Sequence, residues 1–464
     1  MAYILGCLSE TRIKKMLGRW LSRWRSEKPD PETRAATSST PAAVVRPASP
    51  AAPAAQQGSS WLITRRPLID QSGGIAGWDL QLSTRASERL ARPDTPRVLR
   101  EAYKFAIAQA ARETAGSARR VLVGLPDDAL ADSAFLDQLP TRTIVRVSQD
   151  QARELAAQDA GWASRIETRG LLLAAPPLPD INLNSAYRLY DASTSEVGAL
   201  RPADRERWVA MNLPTYEDVG GAVRKGVEFC CGNFVVSARR PDSRQVSPLA
   251  INAANILSAI ISGRSTREIA EQFKTDTALS HRLLQATRSA AIALNRPLDS
   301  IQEAVMMLGA RELYRWLSVL LMSADSRSTI ATALHETALT RGRLLEILAE
   351  STARNDPSEQ LFVTGTFSLL DLILNVPLEV ALALTPLPAH ATEALIGEAG
   401  PWWPYLAIAL AIERDEPAKL EKNCATLGLD PNKVIDLGRD ARGWAAETVK
   451  ALRVQAGKKN TARI

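Results

Sequence analysis

Histidine occurs three times and cysteine four times in 464 residues. A structural zinc site wants Cys and His at short, regular spacings. Cys7, Cys230, Cys231 and Cys424 make no C-x-x-C pair, and His281, His335 and His390 are scattered and never followed by Asp. Reduced thiols in a cytosolic compartment are the expectation. No uninterrupted run of about 20 apolar residues exists, the length a bilayer crossing needs. The nearest stretch, Leu361 to Leu384, is broken by Asp371, Asn375 and Glu379 and reads as buried helices. Also missing are a G-x-S-x-G elbow, a phosphate-binding P-loop and a G-x-G-x-x-G turn after a strand, which removes the commonest esterase, NTPase and dinucleotide readings.

The net charge of +6 suggests a polyanionic partner until the charges are located. Residues 1–28 hold seven Lys/Arg against two acids and residues 441–464 six against one, so each end carries +5 and residues 29–440 about −4. The folded part lacks the field that draws a nucleic acid backbone, and nucleic acid is not an expected partner. The basic end, KALRVQAGKKNTARI, reads as a frayed C-terminal tail over 441–464.

What is present is ordinary globular material, 45% hydrophobic and 23% charged, long enough for two domains. In residues 1–28, Ile13, Met16, Leu17, Trp20, Leu21 and Trp24 fall on one helical stripe, with Arg12, Lys14, Lys15, Arg19, Arg23 and Arg25 around it. Three roles are open for that helix: lying at the inner face of a membrane through Leu17, Trp20, Leu21 and Trp24, docking on a partner or on its own barrel, or staying solvated with no particular partner. Residues 29–60 are Ala, Pro, Ser and Thr, a composition that cannot offset the entropy of folding and predicts an extended tether.

From 61 to 240, short apolar runs (WLITRRPLI, RVLVGLP, RTIVRV, GLLLAAPPL, RWVAM, FCCGNFVV) alternate with helical stretches such as Pro96 to Ala115. That rhythm predicts parallel strands with crossover helices, an α/β domain closing as a barrel. Asp127 and Asp128, after a Pro that ends a strand run, are expected at a helix N-cap. A polar linker over 241–248 leads into 249–440, where helical periodicity runs almost without strands and is punctuated at Gly263, Asn295-Arg296-Pro297, Gly309, Asp356-Pro357 and Gly397. The fold class is therefore multidomain, α/β followed by all-α.

Four passages carry family resemblances. RRPLIDQSGGIAGWDLQLS resembles the opening of EAL domains, and VEFCCGNFVV resembles their closing strand through Gly232 and Phe234. TREIAEQFKTDTALSHRLLQATRSA, with its Asp276 to Ser280 turn, and RPLDSIQEAVMMLGARELYRWLSVLLMS, with its Ser300 to Gly309 helix, resemble the HDOD domain, and the later segments follow in the same order. Arg288 departs from the Asn common there. The resemblance implies an EAL-like barrel of the TIM type fused to an HD-related helical domain.

The resemblance also implies where chemistry would reside. EAL phosphodiesterases open cyclic di-GMP with two divalent ions held by carboxylates and one Asn. Asp79 falls at the first acid position, Gly124 at the Asn position, Arg146 and Gln149 where two Glu are expected, Pro176 and Pro177 at the paired Asp, and Pro214 near the late Glu. The Lys position falls near Arg188 or Leu189. One candidate ligand is left, and hard cations need several oxygens. Asp79 is better read as a solvated or hydrogen-bonded acid at a strand end. HD chemistry fails on the three histidines. Cys231 reads as packing.

No catalytic residue, metal or cofactor is expected. The expected function is a non-catalytic bacterial signalling module, cytoplasmic, whose HDOD domain binds protein partners. The alternatives are a barrel that binds cyclic di-GMP without cutting it, with Arg65, Arg66 or Arg146 serving the guanine, and, more remotely, an active cyclic di-GMP phosphodiesterase.

Overall fold

The computed structural model describes residues 63–178 except 91, 93 and 160, then 185–193, 207–232, 248–291, 300–322, 330–383 and 387–460. The N-terminal stripe with Leu17, Trp20, Leu21 and Trp24, the tether over 29–60 and the 241–247 part of the linker lie outside the described residues.

The six apolar runs become strands of a closed eight-stranded barrel, joined by β2 and β6. β1 (Ile63–Asp70) and β2 (Ile75–Leu82) form an antiparallel hairpin. The Asp70 carboxylate accepts from Ser72 N, Ser72 Oγ and Gly74 N in the turn, where Gly73 takes φ 71°. β3 (Arg120–Gly124), β4 (Ile144–Arg146), β5 (Leu172–Ala175), β6 (Tyr187–Asp191), β7 (Trp208–Leu213) and β8 (Phe229–Gly232) follow in parallel, and β8 closes on β1 antiparallel. Between them run α1 (Thr84–Leu90), α2 (Arg97–Gly116), α3 (Asp127–Leu130), α4 (Ser133–Leu136), α5 (Gln149–Gln158), α6 (Trp162–Glu167) and α7 (Tyr216–Arg224).

Period-two alternation divides the strand side chains between two cores. Leu68, Leu122, Ile144, Ala174, Tyr187, Val209, Met211, Phe229 and Cys231 fill the lumen. Leu80, Val121, Val123, Val145 and Leu173 point outward into a second core with Tyr103, Ile107 and Ala111 of α2. The lumen is a packed core and not a pore, as in other eight-stranded barrels.

Beyond the barrel the chain is helical: α8 (Pro248–Ile261), α9 (Thr266–Lys274), α10 (Thr277–Ala291), α11 (Ile301–Met322), α12 (Ala331–Glu350), α13 (Ser358–Phe367), α14 (Leu370–Leu374), α15 (Leu378–Ala383), α16 (Ala389–Ile396), α17 (Trp403–Arg414), α18 (Pro417–Leu427) and α19 (Pro431–Asn460). No described helix is long and apolar enough to cross a membrane.

Packing divides the chain near residues 251 and 317 into two compact units. In the one holding 252–317, α9 opens with a capping box between Ser265 and Glu268. Asp276 accepts from the backbone N–H groups of Ala278 and Leu279 and from the Asn252 amide, which fixes the start of α10. α11 bends at Gly309, whose φ of 70° breaks its helical course.

The other unit joins 318–464 to the barrel. The Ala333 N–H donates to Gly73 O at 3.0 Å, Arg119 pairs with the buried Glu336 at 2.9 Å, and Thr84 donates its N–H and hydroxyl to Asp415. The HDOD-like stretch expected as one body over 249–440 is thus shared between the two units, because α12 and its neighbours pack on the barrel hairpin while 252–317 packs on itself.

Two expectations are corrected. Asp127 and Asp128 sit inside the first turn of α3, with Pro126 at the N-cap, and the Asp127 carboxylate accepts from Gln151 instead of capping. Residues 441–460 are not a frayed tail: α19 runs through them, with Ala441, Ala445 and Val449 buried.

Candidate functional site

The strand ends that open toward the loops after β2, β4, β6 and β7 bring polar side chains together on the inward face. On β1, Arg66 shares the inward phase of Leu68. On β2, Asp79 takes that phase and Gln81 follows it. Pairing then carries the same level across Gly124 on β3 to Arg146 on β4.

Asp79 is fully buried. Arg66 donates to its Oδ2 from Nε at 3.2 Å and from Nη2 at 2.9 Å. Arg146 donates from Nε to the other oxygen, Oδ1, at 3.3 Å, and reaches Gln81 with Nη2 at 3.2 Å. Arg66 also donates to the Asn212 amide oxygen at 2.8 Å, and the Asn212 amide nitrogen donates to Asp191 at 2.9 Å. Asp191 accepts in addition from the N–H and hydroxyl of Ser193. A continuous chain therefore runs from Gln81 through Arg146, Asp79, Arg66 and Asn212 to Asp191, with two guanidiniums facing two carboxylates.

The electrostatics follow this layout. Burial works to lower the Arg66 pKa, yet the neighbouring Cys231, Asp79 and Asp191 hold it above its ordinary value. For Asp191 burial works upward, but the hydrogen bonds from Ser193 and Asn212 keep it below the usual carboxylate range. Cys231, 3.9 Å from Asp79 Oδ2, has its thiol pushed up to about 12, chiefly by burial. A thiol so placed is protonated and inert at neutral pH, as the packing reading expects.

The sequence-expected positions fall as follows. Asp79, Gly124 and Arg146 come together. The acid is hydrogen-bonded as expected, but it is buried and not solvated. Gln149 is exposed at the start of α5, Pro176 and Pro177 follow β5 directly, and Pro214 is exposed after β7. None of these four contributes a polar group to the cluster. Arg65 points to the outer side of β1, so of the three arginines considered for a guanine only Arg66 and Arg146 reach the mouth. Arg188 and Leu189 lie on β6, with Leu189 among the lumen residues.

Asn212 was not foreseen. It takes φ 53° beside a register shift in β7, and this turns its amide to Arg66 and Asp191. An Asn two residues before a Pro at a strand end was the available signal.

Gly124 and Arg146 are complementary. A Cβ on Gly124 would meet the Arg146 guanidinium carbon at 2.5 Å, so the absence of a side chain on β3 is what admits the long one on β4. A two-cation centre does not fit this donor set. The Asp79 oxygens face guanidiniums, and a divalent ion beside them would meet two positive charges. Among the described residues no group of three His, Cys, Asp or Glu side chains is placed to hold a metal.

Comparisons with known proteins gave matches of three kinds. Residues 254–374 match the family model of the HDOD domain, so the chain carries that domain. Over 250 residues the chain is 26% identical to the uncharacterized protein YuxH of Bacillus subtilis, covering 53% of this chain and 60% of that one. Over 255 residues it is 26% identical to the cyclic di-GMP phosphodiesterase CdgJ of Vibrio cholerae, covering 54% and 58%. The matched segment thus spans less than two thirds of either relative. Solved structures similar to this chain include the FimX EAL domain from Pseudomonas aeruginosa bound to c-di-GMP, at 13% identity and TM-score 0.28, covering 38% of this chain and 88% of that one.

Proposed function

We propose that this chain is a non-catalytic signal-transduction protein of cyclic di-GMP pathways, in which the HDOD region engages a protein partner and the barrel serves as its scaffold. The observation that carries the reading is the clasp of Asp79 between Arg66 and Arg146. It neutralises the one carboxylate left at the EAL metal positions and puts guanidinium charge where a phosphodiesterase needs cations. The pathway assignment draws on the HDOD match and on the relative named as a cyclic di-GMP phosphodiesterase.

Arg66 and Arg146 also bear on the receptor reading. Each already answers Asp79, so neither is a spare cation for a phosphate, and cyclic di-GMP binding at the mouth would have to break buried ion pairs. The test incubates the full chain with cyclic di-GMP and Mg²⁺ or Mn²⁺, separates the nucleotides by chromatography, and titrates the same ligand by calorimetry. The account predicts intact nucleotide and no binding heat. Linear dinucleotide absent from an EDTA control would overturn the non-catalytic reading, and saturable heat with intact nucleotide would make the barrel a receptor.

A further inference from the structure

A cavity of about 370 Å³ lies on the outer side of the barrel wall, between β1, β2 and α1 on one side and α12, α17, α18 and α19 on the other. This volume is within the usual range for small-molecule sites, roughly 300–1,000 Å³. Arg65, Arg66 and Trp78 are among the residues that line it, but the Arg66 guanidinium is turned to Asp79, which is not part of the lining. Its walls are mostly apolar, with Ile63, Ile412 and Ile435 among them, and arginines are set into this surface.

The acids that line it are taken. Glu413 accepts from Arg341 at 2.6 and 2.8 Å, Asp415 accepts from Thr84, and Glu421 pairs with Arg85. Among the described residues Arg65 has only a long pairing, 3.6 Å from Glu113. Arg442 is different: its guanidinium lies 5.7 Å from the centre of the Trp78 ring, and it makes no hydrogen bond or ion pair among the described residues. Burial, with Arg65 and Arg439 nearby, lowers its pKa to about 9. Glu413 and Asp440 pull the other way without accepting a hydrogen bond from it, so this half-buried guanidinium beside an indole is a donor set without an acceptor.

We propose that this cavity binds a small organic anion, a carboxylate or phosphate monoester with a flat or apolar body, its charged head held by Arg442 with Arg65 beside it and its body against Trp78 and the isoleucines. Arginine forks match both head groups. Such a ligand would bridge α19 to the barrel hairpin and so tie the C-terminal helices to the barrel.

The test uses the full chain, with phenyl phosphate as the probe, inorganic phosphate as the headgroup alone, and KCl at equal ionic strength as the screening control. Phenyl phosphate is expected to raise the melting temperature by a few degrees in a saturable manner, at lower concentration than inorganic phosphate, while KCl does not. Arg442→Leu should weaken the apparent affinity about tenfold or more, Arg442→Lys should retain part of it, and Arg65→Gln should weaken it from the barrel side. No saturable shift in the wild-type chain would overturn the proposal. So would equal protection by KCl, by inorganic phosphate at the same concentration, or of both Arg442→Leu and Arg65→Gln.

Discussion

At the scale of single residues, the barrel mouth is a set of mutual accommodations. Gly124→Asn, which restores the residue type that an EAL site would carry, has to push the Arg146 guanidinium aside. It should destabilise the chain by about 1–3 kcal/mol through overpacking, read as a lower urea midpoint with unchanged slope. A second accommodation sits lower in the barrel. The Glu228 carboxylate is held below its usual range first by hydrogen bonds from Arg207, against the upward pull of burial. Its folded value lies below the unfolded one, so its stabilising contribution is present above the ordinary Glu range, near pH 4.3, and is lost as pH falls through the lowered value. Arg207→Gln should therefore cost stability at pH 6 and progressively less toward pH 3, as thermal melts of the two proteins across that range would reveal. Gly124 and Arg146 were each legible in the sequence as departures from a ligand set. Their fit to one another was not, because strand alternation gives the face of a residue but not the space its side chain takes. The positive φ that turns Asn212 into the network is likewise set by tertiary context.

At the scale of elements, six of the eight strands were legible as short apolar runs ended by Gly, Pro or a charge, while β2 and β6, which carry Asp79 and Arg188 within them, did not stand out as such runs; the helix α2 was legible because its apolar positions recur at helical spacing. The end of α19 was not, since two of its three buried positions, Ala441 and Ala445, are small and all are set among charges and polar residues. In the helical part that shares a unit with the barrel, α12 and α13 cross closely. A Cβ on Gly342 would meet Phe362 O at 2.7 Å, and one on Gly365 would meet Gly342 N at 2.7 Å, so the two backbones touch where both lack side chains. Beside the crossing, Arg341 is buried against Glu413 and Ser368. Gly342→Ala gains helix propensity of about 1 kcal/mol but collides with backbone atoms that cannot rotate away. The net effect should be a loss of about 1–3 kcal/mol, and calorimetry showing no loss would contradict the crossing.

At the scale of the whole molecule, the division by packing does not follow the division by sequence family. The HDOD match runs from 254 to 374, yet residues 318–464 belong to the same compact unit as the barrel. Arg119 with Glu336, Thr84 with Asp415, and the Ala333 to Gly73 backbone bond all cross between them. A chain ending at residue 250 would uncover the part of the outer β1–β2 surface, with Ile63, Arg65 and Trp78, that faces α12, α17, α18 and α19. That truncated barrel should be aggregation-prone and unfold at lower temperature than the full chain; equal melting of the two would refute the shared unit.

The central claim is that the mouth of the barrel is closed by its own arginines and does not hold divalent ions. Titration of the full chain with Mn²⁺, followed by loss of the free-ion paramagnetic resonance signal, tests it most directly, with Asp79→Asn as the comparison. The account predicts no stoichiometric site up to millimolar Mn²⁺ in either protein. One or two sites in the wild-type chain, removed by Asp79→Asn, would contradict it and return a metal centre to the mouth.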